Sequence, residues 1–194
     1  VPPSGPPVSA AEASRLIHGY HACVSCTDAQ VGRVLDELDR LGLDDDTVVV
    51  LFGDHGYHLA EKGTWTKRTG WELATRVPLV IRLPRRLEGA NGSTDRLVEL
   101  LDLYPTLVAL CGLPQPAGLE GRSLVPLLHE PDAAWPHVAQ SIITRKVPEL
   151  GKGTITGRAV RTDRYRWLEW TGGPLTEPVH ELYVHTPLGG FGHI

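Results

Sequence analysis

The stretch Phe52-Gly-Asp-His-Gly-Tyr-His-Leu-Ala-Glu-Lys-Gly-Thr-Trp-Thr-Lys67 holds the most chemically suggestive residues of the chain. Asp54 and His55 stand side by side between two glycines, directly after an apolar run. An adjacent carboxylate and imidazole can both turn toward one metal ion, the first supplying charge and the second a neutral donor. Gly53 and Gly56 allow the close backbone approach that such a turn needs. The same residues also suit a plain loop in which the Asp caps the next helix and the His faces water. A second pattern, Cys23-Val-Ser-Cys26, has the spacing of a redox pair or of half a zinc site. No second C-x-x-C supplies further ligands and no thioredoxin-like strand precedes it, so small packing residues on a helix are the preferred reading. With Cys111 the cysteines number three, too few for a disulfide framework.

The elements that must position these residues can be read from the pattern. Ser9-Ala-Ala-Glu12 is a capping box, and helical spacing of Val31, Val34, Leu35, Leu38 and Leu41 follows. Thr27-Asp-Ala-Gln30 offers a second capping box, but nothing breaks the chain there, so one long helix ending at Gly42 is expected. Thr47-Val-Val-Val-Leu-Phe52 reads as an inner strand buried on both faces, as in a parallel sheet, which places Asp54 and His55 at its carboxyl end. That edge is where open α/β sheets bind ligands. Pro78–Leu83 is a second apolar stretch, and Arg96–Leu110 reads as a helix that Tyr104-Pro105 kinks or splits. Beyond residue 130 the runs Val138–Ile143, Thr154–Thr162, Tyr165–Trp170 and Val179–Val184 predict a small antiparallel sheet, with a hairpin turn at Thr162-Asp-Arg164.

Composition narrows the function classes. The 194 residues carry 19 Lys+Arg against 23 Asp+Glu, a net charge of -4, which argues against a general nucleic-acid partner. The longest strictly apolar run, around Val48–Phe52, is far below the ~20 residues of a membrane helix, so no membrane partner is expected. The Pro-rich start has neither the basic nor the apolar region of a signal peptide. The absence of any Met, even at position 1, suggests a piece of a longer protein.

Six blocks in order then carry a resemblance. They are Tyr20–Asp28 with Val31–Leu35, Asp54-His-Gly56 with Trp65-Thr-Lys67, Arg76-Val-Pro-Leu79, Asp102-Leu-Tyr-Pro-Thr106, Gly121-Arg-Ser-Leu124 and Arg161-Thr-Asp-Arg-Tyr-Arg166. Over roughly residues 12–185 the chain resembles the sulfatase family of the alkaline-phosphatase superfamily, and within it the iduronate-2-sulfatase-like branch. The resemblance implies an α/β fold, an alkaline-phosphatase-like mainly parallel sheet flanked by helices, present in part, followed by a small antiparallel C-terminal sheet. Residues 1–135 would be the C-terminal part of the α/β core and residues 136–194 the antiparallel subdomain.

It further implies metal-assisted hydrolysis of a sulfate ester, of a small molecule or a saccharide. Asp54 and His55 match the ligands of the divalent cation, usually calcium. Lys67 matches the lysine that contacts the sulfate group, a catalytic and substrate-binding role suited to a compact cation with three donors. His58 is a second candidate substrate contact, with Glu61 beside it. Lys62 stands where the family often has His. His21, Trp65 and Trp71 read as packing or loop anchors, and Arg161, Arg164 and Arg166 as hairpin ion pairs. The family's nucleophile is a formylglycine made from Cys or Ser in C-x-P-x-R, which attacks sulfur and displaces the alcohol. None of the three cysteines here has Pro two positions later. The nucleophile and an acidic pair are therefore expected upstream, the rest of the sulfatase chain being the partner of this part, which alone is expected to be inactive. A periplasmic, secreted or lysosomal-like location would follow from a signal on that part. Two alternatives compete: a phosphate or phosphonate ester hydrolase of the same superfamily, for which the same three residues would serve, and a non-catalytic structural fragment.

Overall fold

A computed structural model describes residues 8–84, 87, 92–146 and 153–185. The Pro-rich start and the Gly-rich end beyond residue 185 lie outside them. The chain divides into two compact units, Val1–Lys67 with Glu72–Leu87, and Arg68–Trp71 with Glu88–Ile194.

In the first unit, helix α1 runs unbroken over Ala10–Arg40. The expected capping box is formed: the Ser9 hydroxyl accepts from the Glu12 amide and the Glu12 carboxylate accepts from the Ser9 amide. At the other end Gly42 takes a left-handed φ of 65°, and Leu43 N–H reaches back to the Leu38 carbonyl. No α1 residue is buried, and Leu16, Val24 and Val34 stand exposed. Cys23 and Cys26 are free thiols on this helix and are exposed among the described residues. No helix among the described residues is long and apolar enough to cross a membrane.

Strand β1 covers Val49–Phe52 and pairs antiparallel with β4, Leu79–Arg82, from Val49 opposite Arg82 to Phe52 opposite Leu79. The buried inner strand expected over residues 47–52 is thus shorter and more open, with Leu51 and Phe52 46% and 47% exposed. The antiparallel sense has a local cause. Parallel pairing requires a crossover, usually a long helix. Here the connection carries only a two-rung hairpin, β2 (His58–Leu59) with β3 (Trp65–Thr66), and the four-residue helix α2 (Glu72–Thr75). No parallel neighbour of β1 is present among the described residues.

In the second unit the helix expected over Arg96–Leu110 begins late. Leu100–Asp102 form a 3-10 turn, and α3 spans Leu103–Leu110. Pro105 sits in the first turn of α3, where its missing N–H would have no intrahelical partner, and the break falls just before it. Asp102 is buried and accepts from the backbone of Glu99 (2.9 Å) and of Arg122 (2.7 Å). Thr106, also buried, donates to the Asp102 carbonyl and accepts from Leu124 N–H, the residue ahead of helix α4 (Val125–His129). A Cβ at Gly121 would stand 2.1 Å from the Leu101 carbonyl oxygen, so only glycine lets the two segments meet. The blocks Asp102–Thr106 and Gly121–Leu124 are therefore two sides of one contact.

The C-terminal sheet forms as expected, with β5 (Ala139–Lys146), β6 (Thr154–Arg161), β7 (Tyr165–Thr171) and β8 (Val179–Val184) antiparallel in that order. The β6–β7 hairpin closes where Thr162 N–H donates to the Tyr165 carbonyl. Ile155, Leu168 and Trp170 are buried on its inner side, and Gly157 makes room for the Trp170 ring, whose carbons stand 2.6–2.9 Å from the place of a Cβ.

Residues 68–71 lie on this sheet. A Cβ at Gly70 would stand 2.4 Å from Leu168 Cδ2. Arg166, buried rather than at the surface, donates to the Gly70 carbonyl at 2.8 Å. The Trp71 ring N–H donates to Glu181 and to the Tyr183 hydroxyl, both at 3.1 Å, and the Trp170 ring N–H donates to Glu181 at 2.7 Å. Burial alone would raise the Glu181 pKa. The bonds from Tyr183, Trp71 and Trp170 outweigh it together and hold the carboxyl below its usual range. Burial and the same carboxylate push the Tyr183 hydroxyl up to about 12.

Candidate active site

The end of β1 runs into a turn fixed by backbone bonds on both sides. Gly53 N–H donates to the Pro78 carbonyl and Gly56 N–H to the Ala74 carbonyl of α2. Gly56 tolerates no side chain, since a Cβ there would stand 1.9 Å from the Leu73 carbonyl oxygen. Between these two pins Asp54 and His55 project. Gly56→Ala is expected to force the turn off α2 and to destabilise the unit by about 1–3 kcal/mol or more, as overpacking against an immovable neighbour does. A thermal melt of the purified chain measures it, and an unchanged Tm would contradict the close approach.

The two side chains differ in exposure. Asp54 is 83% exposed, His55 34%, and Asp54 Oδ2 lies 3.6 Å from His55 Nε2. Asp54 Oδ1 also accepts from the His55 amide at 3.0 Å, which ties the carboxylate to the turn. His55 Nδ1 lies 2.9 Å from the Gly56 carbonyl. A carbonyl only accepts, so Nδ1 carries the hydrogen and Nε2 keeps its lone pair. That lone pair accepts from Lys67 Nζ. The fold therefore brings Asp54, His55 and Lys67 together, the lysine returning from the far strand of the β2–β3 hairpin.

This donor set fits a divalent cation as a pair and no further: a carboxylate open to solvent and an imidazole nitrogen whose lone pair becomes available once Lys67 turns aside. Among the described residues no group of three or more His, Cys, Asp or Glu side chains could hold a metal ion. Calcium favours oxygen ligands, so of the two side chains Asp54 offers the better donor to such an ion.

His58 is placed differently. Its side chain is 1% exposed, and burial holds the imidazole pKa below its ordinary value, with Glu61 opposing and Lys62 adding to the shift. The Glu61 carboxylate accepts from the Leu59 amide at 2.6 Å, which commits it to the hairpin loop. Lys62 is exposed with a left-handed φ of 53°. Sequence reasoning missed Leu73 and Ala74, whose carbonyls set the turn. Gly56 itself was the visible signal, but nothing in the sequence named what it approaches.

Comparison with known proteins follows the same lines. The chain matches the Sulfatase family over residues 3–113 and the family described as N-sulphoglucosamine sulphohydrolase, C-terminal, over residues 60–183. It is 36% identical over 166 residues to a sulfatase of Formosa agariphila, covering 86% of this chain and 30% of that protein. It is 31% identical over 210 residues to iduronate 2-sulfatase of Mus musculus, covering 81% and 38%. One similar solved structure, in complex with its substrate D-glucosamine-2-N,6-O-disulfate, superposes with a TM-score of 0.69 at 26% identity, over 83% of this chain and 32% of that one. A second, a phosphonate monoester hydrolase from Silicibacter pomeroyi, gives 0.68 at 28%, over 81% and 32%. The fold is thus the alkaline-phosphatase-like α/β architecture in part, followed by the small antiparallel sheet. The chain spans about a third of the length of the relatives it matches. With more than half of its residues under the first of these family matches, the chain belongs to the sulfatase family.

Proposed function

We propose that this chain is the C-terminal part of a sulfuric ester hydrolase, with residues 1–135 completing the α/β core and residues 136–194 forming the appended subdomain. Asp54 and His55 hold a divalent cation, calcium by family resemblance, and Lys67 contacts the sulfate group of the substrate. The observation that carries this reading is the convergence of the three side chains on one turn, with Lys67 Nζ bonded to His55 Nε2. A bound cation would supply charge stabilisation to the oxygens of the transferring group. The residues of this chain do the rest of their work by position. Asp54 presents an open carboxylate, the Gly56 carbonyl fixes the imidazole with Nε2 toward Lys67, and Lys67, freed from Nε2 when that lone pair serves a cation, would donate to an anion placed beside them. His58 is too deeply buried here to meet a substrate without rearrangement, so we assign it at most a role behind the turn. A formylglycine is expected outside this chain, because no C-x-P-x-R occurs in it. The substrate class is a sulfate ester of a saccharide, which the sulfated-glucosamine complex of a similar protein supports.

The likeness to a phosphonate monoester hydrolase keeps a second reading in view, since a tetrahedral phosphonate would use the same two ligands and the same lysine. Parallel assays separate the readings. The protein expressed from the full reading frame that encodes this chain is expected to hydrolyse an aryl sulfate far faster than an aryl phosphate or phosphonate, and the 194-residue chain alone is expected to hydrolyse none of them. A preference for the phosphonate would move the assignment to the second reading, and turnover by the chain alone would overturn the need for an outside nucleophile.

A further inference from the structure

The hairpin that delivers Lys67 has an unusual backbone. Three of its non-glycine residues lie in the left-handed region: Ala60 at φ 90°, Lys62 at 53° and Thr66 at 77°. For a β-branched residue this conformation is a genuine outlier, because its Cβ substituents crowd the following carbonyl. Such strain persists only where the surroundings over-determine it. The surroundings here do so. Ala60 N–H donates to the Thr64 carbonyl, Gly63 N–H to the Ala60 carbonyl and Thr64 N–H to the Glu61 carbonyl, while Leu59 N–H is held by Glu61 and Thr64 is buried. His58 opposite Thr66 and Leu59 opposite Trp65 close the two rungs.

The Thr66 side chain itself does nothing that requires a threonine, since it is exposed. What Thr66 contributes is direction. In a regular strand successive side chains alternate between the faces, and a left-handed residue breaks that alternation for the residue after it. The residue after Thr66 is Lys67, whose Nζ lies on His55 Nε2. We propose that Thr66, through its left-handed backbone, is the positioning residue that aims Lys67 at the Asp54–His55 turn. The consequence for sulfate contact rests on the reading of Lys67 given above; the aiming itself rests on the hairpin alone.

Three substitutions test it. Glycine at 66 accepts the left-handed conformation without strain and asparagine tolerates it better than most residues, whereas proline fixes φ at about −65° and forbids it. Thr66→Gly and Thr66→Asn are expected to keep the nitrogen-15 shift of His55 Nε2 and most of kcat in the full-frame protein, with the Tm of the chain unchanged or raised by about 2–4 °C for glycine. Thr66→Pro is expected to move that shift toward that of Lys67→Ala, and kcat should fall about tenfold or more, as for a misplaced catalytic group, with KM little changed. The proposal is overturned if Thr66→Pro leaves the His55 shift in place, or if Thr66→Gly loses it. If Lys67→Ala retains full activity while Thr66→Pro still shifts His55, the aiming stands and the sulfate role of Lys67 falls.

Discussion

Asp54→Ala in the full-frame protein is expected to abolish measurable sulfate ester hydrolysis and to weaken calcium binding. The loss of affinity should exceed the ~10–100-fold that follows from losing a partner one step removed from a metal, because here an anionic ligand itself is removed. The carboxylate has two jobs in the structure, and they can be separated. One oxygen lies 3.6 Å from His55 Nε2, and the other accepts from the His55 amide. Asp54→Asn keeps an oxygen for the amide and deletes the charge. It should therefore fold with the turn intact and still lose metal. Calorimetric titration with calcium and an aryl sulfate assay on both variants decide the matter. Full activity in Asp54→Ala would remove Asp54 from the metal site altogether.

Lys67→Ala is expected to behave in the opposite way toward the metal. Calcium affinity should hold or rise, since the lone pair of His55 Nε2 no longer serves the ammonium. Turnover should fall about 10²–10³-fold, the loss that follows when one donor to a developing anion is removed, equivalent to about 2.7–4 kcal/mol of transition-state stabilisation. Stability should barely change, because the residue is exposed and its removal leaves no cavity. The diagnostic pattern is a reduced kcat in a protein that still binds calcium. Loss of metal in Lys67→Ala would mean that the lysine supports the turn instead of meeting the sulfate.

The parts of this fold that were legible in the sequence are those whose signals are local. Helix α1 announced itself by Ser9 and Glu12 at one end and Gly42 at the other, and all three act as their types suggest. The β6–β7 hairpin followed from two β-prone runs about a polar turn. The sense of pairing of β1 was not legible, because a run of Val, Leu and Phe states only that a strand wants apolar neighbours, not which strand returns beside it. The break at Leu100–Asp102 was half visible in Pro105. Its other cause, the buried Asp102 that caps backbone from two directions, depends on Arg122, twenty residues away. At the candidate site, the turn that holds Asp54 and His55 could be read from its glycines, while the return of Lys67 to His55 had no local signal. The left-handed residues were hidden, since Ala60, Lys62 and Thr66 are types that no reading of turn chemistry would place there.

Residues 68–71 carry a consequence in time. Their partners come from the far end of the chain: Gly70 waits for Arg166, 96 residues on, and Trp71 for Glu181 and Tyr183, 110 and 112 residues on. Contacts of such separation close late, because the intervening loop must lose its freedom before they form. During synthesis, at ~5–20 residues per second, at least several seconds pass between the emergence of Trp71 and that of Glu181. The capping box of α1 and its C-terminal turn close within residues 9–43 and can order during that interval. The segment that follows Lys67 is thus among the last of the described residues to gain its partners, so a chain whose synthesis stalls before β8 carries the Asp54–His55 turn with the neighbouring anchor still unbuilt.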